Sequence, residues 1–305
     1  MSLADLVRAE LAVPVDPRVT TLAEAIAAKH GAASRAVLFY GSCLRERQLD
    51  GLMLDFYLIV SDYRAAYAKR WLATANRLIP PNVFPFEADG LAAKYAVLSE
   101  ADFRREVGKQ SRSVSVWARF SQPSRLVWQT DEAVRSLIVD VISDAPPTLF
   151  QYTLPMMATD QDASLLDIWK RGFELTYGAE LRAENKARSA NIVDLDATRY
   201  EEFGLATLQR IAELGGTGPN GEVALLMRSD RMARWWKRTQ LKGKALSVIR
   251  LAKASATYAG GVEYIVWKIN RHAGTKIELK PWQRNHPLLA AISLLPRLLR
   301  SGAVR

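Results

Sequence analysis

The sequence predicts an α/β (α+β) domain with a mixed β-sheet, then a mainly helical second domain and an amphipathic helical C-terminus. Three observations predict it. Short apolar runs bounded by Gly, Ser and Pro recur through the first third of the chain, as strands between helices do. From Asp131 onward the apolar spacing becomes that of long helices. The last segment, Pro287 to Arg300, places Leu288, Leu289, Ile292, Leu295 and Leu299 on one helical face among arginines.

Residues 3–12 and 20–30 read as helices, separated by Pro14 and Pro17, with Leu22, Ala25 and Ile26 sharing a face. Ala36–Tyr40 reads as a buried strand ending in Gly41-Ser42, and Leu54–Val60 as a second strand. A helix over 64–76 fits between that strand and a third, Val83–Glu87. A fourth runs from Ala92 to Leu98 and ends at Ser99, an N-cap with Asp102 three residues on, for a helix from about 100. Helices follow at 131–143, 163–186 and 199–214, and the glycine-rich stretch Gly215–Gly221 reads as an exposed break. Basic helices over Arg228–Lys244 and Ala245–Arg271 complete the second half, and Pro296 should kink the final segment. The ranges expected are 1–128 for the first domain, 129–245 for the helical one and 246–305 for the basic C-terminal region.

A chain of 305 residues that is 49% hydrophobic has material for one large domain or two. The single cysteine, Cys43, excludes an internal disulfide framework, and three scattered histidines, His30, His272 and His286, argue against a zinc cluster. A net charge of +10 suits nucleic acid, nucleotide phosphates or an anionic membrane surface, and equally plain solubility; charge alone does not choose. No apolar run reaches the length of a membrane-spanning helix. Met1–Glu10 mixes acids and bases with no apolar stretch, unlike a signal or transit peptide, so a cytoplasmic, bacterial setting is expected.

The chemistry centres on Tyr40-Gly41-Ser42 and Asp55. A glycine lets backbone approach a phosphate, and a serine hydroxyl with nearby amides can bind its oxygens. A strand carboxylate can hold the divalent metal that bridges a triphosphate. This layout resembles that of polymerase-β-like nucleotidyltransferases, and the first domain is expected to be one. Members ordinarily carry two strand acids at i and i+2. Here the neighbours of Asp55 on that face are Met53 and Tyr57, so only one acid is present. Glu87 ranks first to complete a metal shell, ahead of Asp62, Asp50 and Glu46. Lys94, inside an apolar run, is either an edge residue or one aimed into a polar cleft. Arg45 and Arg47 are phosphate clamps or solvated loop residues.

Several blocks in order resemble the mitochondrial CDP-diacylglycerol synthase family, also called mitochondrial translocator assembly and maintenance proteins. Tyr40-Gly41-Ser42 is similar to its Tyr-Gly-Ser-Gly block, with Cys43 at the second glycine, and Met53-Leu54-Asp55-Phe56 to its Met-Leu-Asp-Phe strand, which also carries a single acid. Lys94–Ser99 is similar to Lys-Tyr-Gly-Val-Ile-Ser, and Ala118-Arg119-Phe120 with Pro123 to Gly-Arg-Leu…Pro. Leu175-Thr176-Tyr177 through Arg182 and Asn191-Ile192-Val193 echo a stretch of the second domain. The family's Trp-His appears here as Ala66-Tyr67, and its lysine before the proline as Gln122.

The resemblance implies phosphatidate cytidylyltransferase activity, CTP plus phosphatidate giving CDP-diacylglycerol and diphosphate, with Mg²⁺ as cofactor. It implies that Tyr40, Gly41 and Ser42 cradle the triphosphate, Asp55 binds Mg²⁺, and Lys94 neutralises phosphate charge. Arg119 and Arg182 are implied contacts to nucleotide or lipid phosphate, or structural ion-pair partners, with Tyr177 packed beside Arg182. A two-chain lipid substrate implies peripheral docking, through the basic C-terminal segment 284–305, on the cytoplasmic face of an anionic inner membrane, with no nucleic-acid partner. The alternatives are a nucleotidyltransferase with another acceptor, and a non-catalytic binder. For the latter, Arg234-Trp235-Trp236-Lys237-Arg238 would suit single strands, a membrane interface or an ordinary amphipathic helix.

Overall fold

The computed structural model describes residues 1–45, 49–157, 164–180, 192–213 and 230–257, with 278, 280 and 281. Arg47, Arg182, Asn191, the 215–221 stretch and the 284–305 segment lie outside the described residues, as does the side chain of Arg45. A mixed five-stranded sheet is flanked by helices on both faces, the α/β class expected, and a mainly helical region follows it.

Helix α1 (Leu3–Leu11) opens with a capping box, Ser2 and Asp5 satisfying each other's first-turn amides. Helix α2 (Pro17–Ala28) starts on Asp16 with proline at its first position, where the missing N–H costs nothing. Strands β1 (Ser34–Tyr40), β2 (Met53–Val60), β3 (Asn82–Ala88), β4 (Leu91–Ser99) and β5 (Ser124–Gln129) stand in the order β3-β4-β2-β1-β5. The β2–β4 pair is parallel and the others antiparallel. β5 pairs along β1 and has no counterpart in the sequence reading.

Between β2 and β3 the chain forms two short helices, α3 (Tyr63–Ala66) and α4 (Arg70–Leu78), where one helix over 64–76 was expected. Tyr67 is the cause: its backbone is extended, and its buried ring packs edge-on to His30 and against Phe84. Helix α5 (Glu100–Val107) begins on Ser99, whose hydroxyl accepts from the Asp102 amide at 3.2 Å. The Asp102 carboxylate does not return the bond; it accepts from Tyr63 at 2.6 Å and Arg105 instead. Helices α6 (Ser115–Phe120), α7 (Glu132–Ser143), α8 (Ala145–Thr153), α9 (Leu165–Tyr177) and α10 (Ala197–Ile211) follow. Helix α11 runs unbroken from Asp230 to Thr257, without the division expected after Lys244.

The period of two along the strands sorts side chains between two cores. One face carries Leu38, Tyr40, Tyr57, Ile59, Ala96 and Leu98 against α1 and helices α5–α11. The other carries Val37, Phe39, Phe56, Leu58, Tyr95 and Val97 against α2, α3 and α4. The first core continues into the helical region, where the buried Trp169 donates to Tyr200 O at 2.8 Å. Arg199 on α10 pairs with Glu10 on α1 and also donates to Ser121 O at 3.3 Å, tying chain ends far apart in sequence.

The Trp235-Trp236 pair is spent on this packing. Trp236 is buried and donates to Tyr152 O at 2.9 Å, and Trp235 stacks on the Tyr152 ring at 4.4 Å. The Trp236 ring is thus taken up by packing, and Tyr152 covers one face of the half-buried Trp235 ring. Among the described residues no helix is long and apolar enough to cross a membrane.

Candidate functional site

The site lies on the first of those faces, at one edge of β1, β2 and β4. Tyr40 ends β1 opposite Asp55 on β2, and Asp55 stands opposite Lys94 on β4. Partners in register share a face, so three candidate side chains from three strands are neighbours. β4 lies between β3 and β2, which removes the edge reading of Lys94. Its Nζ reaches Asp55 Oδ1 at 3.0 Å, with both side chains roughly a quarter exposed. That oxygen is buried and makes no well-directed hydrogen bond, so the contact is an ion pair rather than a directed bond.

Gly41 turns away from β1 with φ +99°, and a Cβ there would sit 3.4 Å from Asp55 Oδ2. The left-handed backbone and the close approach both favour glycine. Ser42 follows, exposed, at the start of a 3₁₀ turn through Arg45, which brings the Leu44 amide to Gly41 O at 3.2 Å. Cys43 points the other way, into the second core, with Sγ 3.6 Å from Met53 O.

Arg119 arrives from α6. Its guanidinium lies 4.8 Å over the Tyr40 ring, a cation–π geometry. Its Nε is buried with no hydrogen-bond partner. Burial works to lower its pKa, but Tyr40, Tyr57, Glu180 and Asp55 more than offset this, so the charge is held firmly. A narrow cleft beside it is lined by Ser115, Arg119, Gln122, Thr176, Tyr177 and Glu180. Tyr177 and Gln122, singled out by the family blocks, thus join Arg119 in one place. Burial, and then the Asp55 charge, raise the Tyr40 pKa well above its usual value, keeping the phenol neutral.

Glu87 stands apart. On β3 it is opposite Ala92, one pleat beyond the Pro85–Lys94–Asp55 row, and exposed. Strand and residue spacing put its Cα about 12 Å from that of Asp55, on the same face but two strands over. Among the described residues no group of three or more His, Cys, Asp and Glu side chains converges as a metal cage. Asp50 is tied to Arg18 at 3.0 Å, and Asp62 caps α3. What the site offers a hard cation is one carboxylate, with the exposed Ser42 next in sequence to the Gly41 turn that approaches it. That suits Mg²⁺ shared with a polyphosphate, because Mg²⁺ keeps several waters and takes one or two carboxylates. His30 serves the opposite core: Nδ1 donates to Ala66 O at 2.9 Å, and burial lowers its pKa.

Sequence reasoning missed Glu180, Ser113, Ser115, Arg250 and Lys253. The last two come from α11. Arg250 donates to Pro80 O, Ser115 Oγ and Ser113 Oγ, and Lys253 donates to Ile79 O and Pro81 O. Burial, then the Arg250 charge, pushes the Lys253 ammonium down to about 7. In the unfolded chain its pKa is the ordinary 10.5. Between those values the unfolded chain binds the extra proton, so this group's contribution makes stability rise with pH from about 7 upward. Thermal melts at pH 7 and 9 should show a smaller rise for Lys253→Met than for the wild type; equal rises would remove Lys253 as the source.

No protein-family model matches this chain, and no curated protein matches it significantly. Among solved structures it is similar to a nucleotidyltransferase-like protein from Exiguobacterium sibiricum 255-15. That superposition covers 93% of this chain and 92% of the other, at 10% identity and a TM-score of 0.27. A superposition this loose leaves the chemistry of the site to be read from its own residues.

Proposed function

We propose that the chain is a nucleotidyltransferase and, more finely, a phosphatidate cytidylyltransferase that transfers CMP from CTP to the phosphate of phosphatidate. The observation that carries the coarser reading is the approach of the Gly41 turn to Asp55, with Lys94 at 3.0 Å on the same carboxylate. A turn able to admit a phosphate thus stands against an acid able to hold its metal. The finer reading is supported by the order of the family-like blocks from Tyr40 to Val193.

Such a transfer needs positioning and charge neutralisation more than covalent help. An oxygen of the acceptor phosphate bonds to the α-phosphorus of CTP while the bond to the diphosphate oxygen breaks. The acceptor is already anionic, so no proton need be removed. Ser42 donates to a phosphate oxygen, and Lys94 and Arg119 offset charge that builds on the leaving diphosphate. Asp55, with Ser42, would hold Mg²⁺, whose contribution is to neutralise the triphosphate. We also propose that the basic charge holds the protein at an anionic membrane surface, where a lipid acceptor resides.

The test is an acceptor screen. Labelled CTP and Mg²⁺ are offered with phosphatidate in mixed micelles, then with phosphorylated sugars and RNA ends, and the other three nucleotides are offered in turn. Label in CDP-diacylglycerol with equimolar diphosphate is expected. Label only in another acceptor would keep the transferase and replace the lipid. No label and no diphosphate with any pair would remove the enzyme reading.

A further inference from the structure

Arg250 is a half-buried cation whose hydrogen bonds among the described residues all go to neutral oxygens. Its Nε donates to Pro80 O at 2.9 Å, and its two terminal nitrogens to Ser115 Oγ at 3.2 Å and Ser113 Oγ at 3.3 Å. Among the described residues no carboxylate lies within ion-pair distance of Arg250 or of Arg119. The buried Nε of Arg119 has no acceptor either. Ser115 links the two: it holds Arg250 and lines the cleft that Arg119 enters.

Tyr57 stands near both. It occupies the position two residues from Asp55, on the same face of β2, where a second acid would stand. No hydrogen bond involves its hydroxyl among the described residues, and it feels Arg119, Arg250, Glu180 and Asp55 together. Glu180 and Asp55 act on Arg119, and Glu180 and Glu106 on Arg250, yet among the described residues none of these carboxylates makes an ion pair with either guanidinium. Guanidinium charges taken out of water without counter-ions are costly, and a planar fork of donors matches phosphate oxygens.

We infer that Arg119 and Arg250 form a second anion subsite, built by α6 and α11 with Ser113 and Ser115, that binds the phosphate monoester of the acceptor beside Asp55. Only the word acceptor rests on the transferase reading; the subsite itself stands on two neighbouring guanidiniums that make no ion pair among the described residues, and on Ser115, which holds Arg250 and lines the cleft beside Arg119. α11 thereby becomes a wall of the site, and Arg250 a binding residue supplied from the far end of the sequence.

The probes are glycerol 3-phosphate, inorganic pyrophosphate and Mg·CTP, titrated separately by calorimetry so that no turnover is needed. Arg250→Gln should weaken glycerol 3-phosphate binding by about tenfold to a hundredfold, as loss of charge-assisted hydrogen bonds does. Mg·CTP affinity should stay within about twofold, and Arg250→Lys should recover part of the loss, a point charge replacing a fork. Equal glycerol 3-phosphate binding by R250Q and wild type would overturn the inference. A loss confined to pyrophosphate would assign the arginines to the leaving group and overturn the acceptor role. If wild type binds none of the four Mg·nucleoside triphosphates yet R250Q loses glycerol 3-phosphate, the subsite stands and the transferase reading falls. Should R250Q fail to fold, the wild-type melt decides: no rise in Tm with glycerol 3-phosphate overturns the subsite.

Discussion

Asp55→Asn is expected to lower nucleotidyl transfer by about three orders of magnitude, the scale of losing a charge aimed at the reacting phosphates. Its melting temperature should fall by only a few degrees. The asymmetry follows from where the residue sits. Met53 and Tyr57 flank it on its face of β2, so no second strand acid can take over the metal. Asparagine keeps the volume and an oxygen 3.0 Å from Lys94, so the β2–β4 pairing has no steric reason to change. Lys94 loses its counter-charge, but a side chain more than a quarter exposed can hydrate. Single-turnover rates at saturating Mg²⁺, with a circular-dichroism melt, check both halves. Retention of more than a tenth of the wild-type rate would mean that this carboxylate does not hold a catalytic metal.

The legible part of the site is the part written locally. Tyr40, Gly41, Ser42, Asp55 and Lys94 sit on or beside three apolar strands, and the period of two tells which of them share a face. Lys94 stayed ambiguous because edge or centre is a property of strand order, and β4 reaches the interior only when β3 folds back on it. β5 escaped notice for a compositional reason: its half-buried run Ser124-Arg125-Leu126-Val127-Trp128-Gln129 shows no alternation, and it is stabilised by pairing along β1. Helix α8 was not anticipated, and its prolines Pro146 and Pro147 fall in its first turn, where no amide bond is lost. Arg250 was illegible in principle. Nothing near position 250 distinguishes it from the surface bases of the same helix, such as Lys242 and Lys244. Its placement comes from Ser113 and Ser115, more than a hundred residues earlier.

If α11 is a wall of the site, its seating must matter to chemistry as well as to stability, and Gly243 is where that seating is tightest. A Cβ at Gly243 would lie 2.2 Å from Ala179 O and 3.1 Å from Ala179 C, a collision with backbone that no rotamer relieves. Two effects oppose each other in Gly243→Ala. Helix propensity favours alanine by about 1 kcal/mol. Forcing an extra carbon into a packed contact costs about 1–3 kcal/mol, and here the obstacle is a carbonyl rather than a flexible chain. The clash should win, so G243A is expected to melt several degrees lower and α11 to lift from the end of α9. Arg250 lies two turns further along the same helix, so glycerol 3-phosphate affinity and transfer rate should fall with it. Gly178→Ala is the matched control. Its added carbon would meet Gln240 Nε2 at 2.9 Å, the far end of a flexible side chain that can swing aside, and its backbone is ordinary helix. That variant should melt near the wild-type temperature and keep its phosphate affinity. Equal behaviour of the two alanine variants would place α11 elsewhere than against Ala179, and would take Arg250 out of the site.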